Sequence, residues 1–280
     1  MLDLETFSSR AQRVYKPSSL RRKLKVLALY DEFLKKNKLS VGVESLAKWM
    51  DELGKRVSPS TLGAYARDVL SYFQIMLMDL DERKLKSLKM MIPSIAASLK
   101  PAERLTVEEV RLLIENSRYP HRLIYSLCYA YGRRLSEVLN ATVDLKANTI
   151  TFPILKRKAG ETATFNLEPW IRNMIEEYLK MGFGTPNKLF DLTDRAVEIA
   201  FKRDCERVGI KPNGRKLRVH LLRHSIITHL IERGVPIEIV SKYLARHRDV
   251  RTTFQFYVSA TEEMSKQLPK IQELLWGEGK

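Results

Sequence analysis

Apolar residues recur at three- and four-residue steps through most of the first ninety positions, interrupted by short polar stretches. This rhythm predicts helices over Ser19 to Lys36, Val43 to Glu52, Ser60 to Met78 and Asp81 to Ile92. In the third of these Leu62, Tyr65, Val69, Tyr72 or Phe73, and Met76 share one helical face, and Ser58-Pro59-Ser60 supplies its start signal. The rhythm lapses between Pro93 and Pro101. It resumes at Leu105-Thr106-Val107-Glu108-Glu109, where Thr106 is placed to cap a new helix and Glu109 to complete a capping box. An apolar helix from Arg122 to Tyr131 follows, then β-like segments around Ala141 to Leu145, Thr149 to Leu155 and Thr162 to Leu167, and then helices to the end. The pattern predicts a mainly α chain with one small antiparallel β-sheet, divided into a helical domain over 1–98 and a second domain over 99–280.

Composition narrows the class. With 44% hydrophobic and 29% charged residues in 280, the chain fits neither the disordered nor the membrane class. The opening twenty residues carry early acids and no continuous apolar run, so they read as neither a secretory signal nor an anchor, and the protein is expected in the cytoplasm. Cys128 and Cys205 stand in apolar or helical stretches 77 positions apart and read as reduced, buried thiols.

Charge then points to a partner. Lys and Arg number 49 against 33 Asp and Glu, a formal charge of +16, which suits a polyanion. The first hundred residues hold 19 of those cations against 11 acids, so positive charge is denser there. Arg21, Arg22, Lys23 and Lys25 could form a phosphate-facing helix or a solvated face. Arg203, Arg215, Lys216 and Arg218 approach the histidine-rich segment and are consistent with contacts that position a duplex without reading it. Nucleic acid is the expected partner, ahead of an anionic membrane surface.

Four of the five histidines lie between positions 220 and 247. His220 and His224 have the i, i+4 spacing of a helical zinc site, but leucines occupy the place of its Glu and Arg223 adds local repulsion, so no metal is expected. The same residues suit a phosphate. A phosphodiester undergoing substitution spreads charge over its equatorial oxygens, and arginine forks with imidazole donors can hold that charge. Tyr257, ten residues after His247, could be the nucleophile, and Lys156 or Lys158 could protonate a departing oxygen. His224 and His229 read as residues satisfied in the core, and Tyr243 and Leu244 as packing residues. An isolated Arg134–Glu137 pair could equally be an ordinary i, i+3 helix pair.

Three blocks carry a resemblance. YGRRLSEVLNAT at 131–142 resembles the G-x-R-x-S-E-L box of the tyrosine recombinases, the phage-integrase and Xer-type site-specific recombinases. HLLRHSIITHL at 220–230 resembles their H-x-L-R-H-T-x-x-T-H-L box, and LARHRDVRTTFQFY their L-G-H-x-x-x-x-T-T-x-x-Y segment. The last block departs in two ways: Arg246 replaces the usual glycine, and the His-to-Tyr interval is ten rather than nine, as a one-residue loop insertion would give. SPSTLGAYARDVLSYF is loosely similar to the family's core-binding domain.

The resemblance implies a helical core-binding domain, an α+β catalytic domain, and a role for each matched residue. Arg134 and Arg223 would hold the non-bridging oxygens, with Glu137 supporting the first. His220 and His247 would donate hydrogen bonds or shuttle protons, Lys158 would protonate the leaving oxygen, and Tyr257 would form a 3′-phosphotyrosine. It further implies duplex DNA as partner, four protomers on two sites, a Holliday junction, and no metal, ATP or other cofactor. The apolar run Met264, Leu268, Ile271, Leu274, Leu275 and Trp276 would pack on its own domain or dock on a neighbouring protomer. The rivals are a type IB topoisomerase and a non-catalytic DNA-binding protein.

Overall fold

The structure, a computed structural model, describes residues 1–76, 103–155 and 160–245 together with Arg83, Lys86 and Met90. The helix expected over Asp81 to Ile92 lies, but for those three positions, outside the described residues. Contacts divide the chain into two units, Met1–Ser98 and Leu99–Lys280.

In the first unit α1 (Leu4–Ala11), α2 (Pro17–Asn37), α3 (Val43–Gly54) and α4 (Pro59–Ile75) enclose one core. Leu20, Leu27, Tyr30 and Leu34 line the buried face of α2, and Val69, Tyr72 and Phe73 that of α4. The indole of Trp49 on α3 sits between the rings of Tyr30 and Tyr65, with centroids 5.1 and 6.5 Å away. The first helix was not anticipated, because its apolar face is only Phe7 and Ala11. Asp3 caps it by accepting the Thr6 amide at 2.9 Å, and the Leu2 amide donates to buried Asp31 at 2.7 Å, so the chain start is tied to α2.

The second unit opens with α5 (Val107–Asn116), whose reciprocal cap joins the Thr106 amide to Glu109 Oε2 at 2.9 Å and the Glu109 amide to Thr106 Oγ1 at 3.1 Å. The apolar α6 (His121–Ala130) and the short α7 (Leu135–Val138) lead into β1 (Thr142–Asp144), β2 (Thr149–Pro153) and β3 (Thr162–Asn166). These strands form an antiparallel sheet in chain order, with Thr142 opposite Thr151 and Thr149 opposite Asn166. Alternation buries Val143, Ile150, Phe152 and Ala163, and the Tyr131 ring, 5.5 and 5.4 Å from Phe152 and Phe165, joins the end of α6 to that buried face.

Around this sheet and α6 pack α8 (Pro169–Lys180), α9 (Asp194–Arg207) and α10 (His220–Glu232). A short α11 (Ile237–Ile239) runs into a π-helical turn at Val240–Ala245. The mainly helical architecture with one small antiparallel sheet is the one the sequence predicts. Cys128 and Cys205 are free and buried, and burial pushes both thiols up, Cys205 to about 12. No helix among the described residues is long and apolar enough to cross a membrane.

Candidate active site

The first catalytic block folds as a tight exit from α6 followed by a single turn of helix. Gly132 adopts φ +57, a left-handed conformation that glycine takes up most readily, and a Cβ there would approach Leu244 Cγ to 3.1 Å. Arg134 follows in extended conformation at the N-cap of α7, and Glu137 takes the third helical position. Its carboxylate turns back, accepting the Arg134 amide at 3.1 Å on Oε2 and Arg134 Nη1 at 2.8 Å on Oε1. Glu137 is fully buried whereas the Arg134 side chain keeps 22% exposure, so the acid fixes the guanidinium from behind and leaves it partly open.

The second block is α10. Leu221, Leu222, Ile227 and Ile231 bury it in apolar surroundings, and Arg223 lies among them at 1% exposure, donating through Nη1 to the Gly132 carbonyl. That bond ties α10 to the turn bearing Arg134. Burial, and after it the charges of Arg134 and Arg133, pulls the Arg223 guanidinium down to about 9, with Glu137 opposing. The mutual repulsion of these cations is what a bound anion would relieve.

His220, at the first position of α10, is exposed, and its ring centroid lies 4.5 Å from that of His224. His229 has a structural task. Its Nε2 lies 3.0 Å from the Leu105 carbonyl and its Nδ1 3.0 Å from the Tyr129 hydroxyl. One turn earlier Ser225 Oγ accepts the Leu105 amide at 2.8 Å, so both backbone groups of Leu105 are bound by α10. Burial chiefly holds His224 and His229 below the ordinary imidazole value. Lys158, His247 and Tyr257, and the apolar run from Met264, lie outside the described residues. Among the described residues no group of three or more His, Cys, Asp or Glu could hold a metal ion.

The basic residues divide. Arg21 and Lys25 are exposed one turn apart on α2, as are Arg203 on α9 and Lys216 and Arg218 before α10. Arg22, 57% exposed, donates to Asp68 at 2.8 Å. Lys23 faces inward instead: its ammonium donates to Asp68 at 2.8 Å and Ser71 at 3.0 Å and lies 4.5 Å from the Tyr15 ring centre. Arg215 is occupied by a two-pronged pair with Glu109, both bonds 2.7 Å, and by the Arg104 and Lys211 carbonyls. Neither suits the phosphate-facing role expected of it, because each already has an anionic partner and is drawn inward. Tyr243, expected to pack, is 60% exposed, whereas Leu244 does pack against the cluster of Ile227, Ile231 and Val240.

One residue of the site escaped the sequence reading. Arg133, also 1% exposed, donates through Nε to the Tyr131 carbonyl at 3.0 Å and through Nη2 to the Leu244 carbonyl, and stands 5.3 Å from the centre of the Phe165 ring. The only local signal is the doubled arginine.

Residues 103–264 match the phage integrase family. Tyrosine recombinase XerA of Pyrococcus horikoshii is 30% identical over 204 residues, 68% of this chain and 66% of that protein. Tyrosine recombinase XerA of Thermococcus kodakarensis is 29% identical over 239 residues, 79% of each chain. The chain spans just under two thirds of the length of the Pyrococcus horikoshii relative. Among solved structures, XerH site-specific recombinase bound to palindromic difH substrate, a post-cleavage complex, superposes with a TM-score of 0.72 over 94% of this chain and 82% of that one at 18% identity. The Tn1549 transposon integrase in complex with transposon right end DNA gives 0.66 over 95% and 99% at 16% identity, so both share the fold.

Proposed function

The chain belongs to the phage integrase family, and from that membership we propose that it is a site-specific DNA recombinase, breaking and rejoining duplex DNA through a 3′-phosphotyrosine. The observation that carries the reading is the Gly132–Arg134 turn, which binds the buried Arg223 through the Gly132 carbonyl and presents Arg134 fixed by Glu137. In this reading the two guanidiniums hold the non-bridging oxygens of the scissile phosphate, where charge grows in the transition state. The Tyr257 oxygen forms a bond to phosphorus as the bond to the 5′ oxygen breaks. Lys158 gives that oxygen its proton, and His220 and His247 donate hydrogen bonds to the phosphate or move protons. The phosphodiester energy is kept in the phosphotyrosine and returned when a 5′ hydroxyl attacks it, so the cycle requires neither ATP nor a metal.

Arg21 and Lys25 of the first unit, with Arg22 held by Asp68, and Arg203, Lys216 and Arg218 of the second, supply phosphate contacts along the duplex. The first unit acts as the core-binding domain and the second as the catalytic domain. Four protomers on two duplexes complete exchange through a Holliday junction, on DNA in the cytoplasm. The test is exchange between two separate duplexes sharing a site selected from a randomised library, run beside relaxation of one supercoiled circle. Recombinant products support the reading; relaxation without exchange would make the protein a type IB-like topoisomerase, and binding with neither would make it a DNA-binding protein.

A further inference from the structure

Arg133 is buried, and in the chain it stands between Gly132, whose carbonyl binds Arg223, and Arg134. Its side chain runs instead to Leu244, 111 positions along the chain, in the last residues of the π-helical turn. The last carbonyls of a helix have no partner within it, and a cation there is favourable. The Leu244 side chain is held at the same place, since Gly132 leaves room for it that a Cβ would fill and Ile227, Ile231 and Val240 pack around it. Leu244 is thus gripped by backbone and side chain from the turn that also positions both arginines.

We infer that Arg133 is a positioning residue, which holds the Val240–Ala245 turn at Leu244 against the Gly132–Arg134 turn and so keeps Arg134 and Arg223 in place to grip a phosphate. This deepens the strand-exchange reading and rests on it. An apolar residue would fill the same volume but could not bond the Leu244 carbonyl. The two binding bonds and the Phe165 face make arginine's planar fork the fitting choice.

The test compares the full-length chain with Arg133→Met, Arg133→Lys and Tyr257→Phe on nicked suicide duplexes selected from a randomised library. Single-turnover adduct formation is measured at saturating DNA and the dissociation constant separately. The expected result for Arg133→Met is adduct formation slowed by about 10²-fold, the scale of a misplaced reacting group, with affinity changed by less than about threefold; Arg133→Lys, still able to donate, recovers part of the rate. Amide hydrogen exchange gives a readout free of activity: Arg133→Met should speed exchange over Val240–Ala245 and leave Val107–Asn116 as in the parent. A methylphosphonate at the scissile position removes one negative charge and should not restore the variant's rate. Restoration by methylphosphonate would assign Arg133 to the anion site and overturn its positioning role. Parent-like cleavage and exchange in Arg133→Met, with the adduct lost in Tyr257→Phe, would overturn the inference while the strand-exchange reading stood. A parent chain forming no adduct would overturn both.

Discussion

Glu137 holds Arg134 twice, at the guanidinium and at the backbone amide, with its own carboxylate wholly buried. The acid therefore does two jobs: it starts the turn of α7 and aims the arginine. Glu137→Gln keeps a side chain of the same shape but loses the charge that orients the fork. It should slow adduct formation by about 10–10²-fold, a fraction of the cost of deleting a transition-state donor outright. Glu137→Ala should also destabilise the second unit by about 3 kcal/mol, as removal of one member of a buried ion pair does. Single-turnover rates and urea melts of the two variants separate the effects.

Arg223 contributes a fork that lysine cannot imitate. Arg223→Lys should reduce adduct formation by about 10²–10³-fold, since a point charge cannot give a phosphate two parallel bonds while also holding the Gly132 carbonyl. Burial and the charges of Arg134 and Arg133 hold the Arg223 guanidinium below its ordinary value, and a bound phosphate favours its charged form.

The basic residues of α2 should separate in a salt titration. Arg21→Ala and Lys25→Ala, both exposed, should each lower the slope of log affinity against log salt by about 1. Lys23→Met should leave the slope unchanged and lower the melting temperature instead, because Asp68 is buried and loses one of its two cations. Gel-shift titrations between 50 and 200 mM salt, roughly the range over which such slopes are read, decide the matter.

Acid should loosen the second unit. His121, His224 and His229 are all held below the ordinary imidazole value of 6.5, chiefly by burial. Each therefore binds fewer protons folded than unfolded, so stability is full above about that value and declines as pH falls below it. Melting temperature should drop between pH 7.5 and pH 5. His229→Gln, which can still donate to the Leu105 carbonyl, should melt lower at neutral pH yet vary less with acid.

Where local signals agree, the structure follows the sequence closely. Thr106 and Glu109 form the expected reciprocal cap, and the three β-like segments pair as an antiparallel sheet, because cap spacing and two-residue alternation are set by neighbours in the chain. The role of His229 as a core residue was also legible, from its place within an apolar helix. What escaped depends on contacts between distant positions. Lys23 reads like its neighbours Arg21 and Lys25 until α4 brings Asp68 and Ser71 against it, and Arg215 reads as a free cation until Glu109, 106 positions away, meets it. Arg133 is the extreme case, since its only sign was a second arginine beside the expected one, and its partner Leu244 is defined by the fold alone. Tyr243 shows the opposite error: aromatic character implied packing, yet the π-helical turn points it outward.

The central claim is that Tyr257 becomes linked to DNA. The direct measurement incubates the protein in EDTA, without ATP, with nicked suicide duplexes, then separates protein–DNA adducts on a denaturing gel and identifies the linked residue by mass spectrometry. The account predicts an adduct at Tyr257, absent from Tyr257→Phe and retained in Tyr243→Phe. Tight binding with no adduct across the library, or an adduct undiminished in Tyr257→Phe, would contradict it.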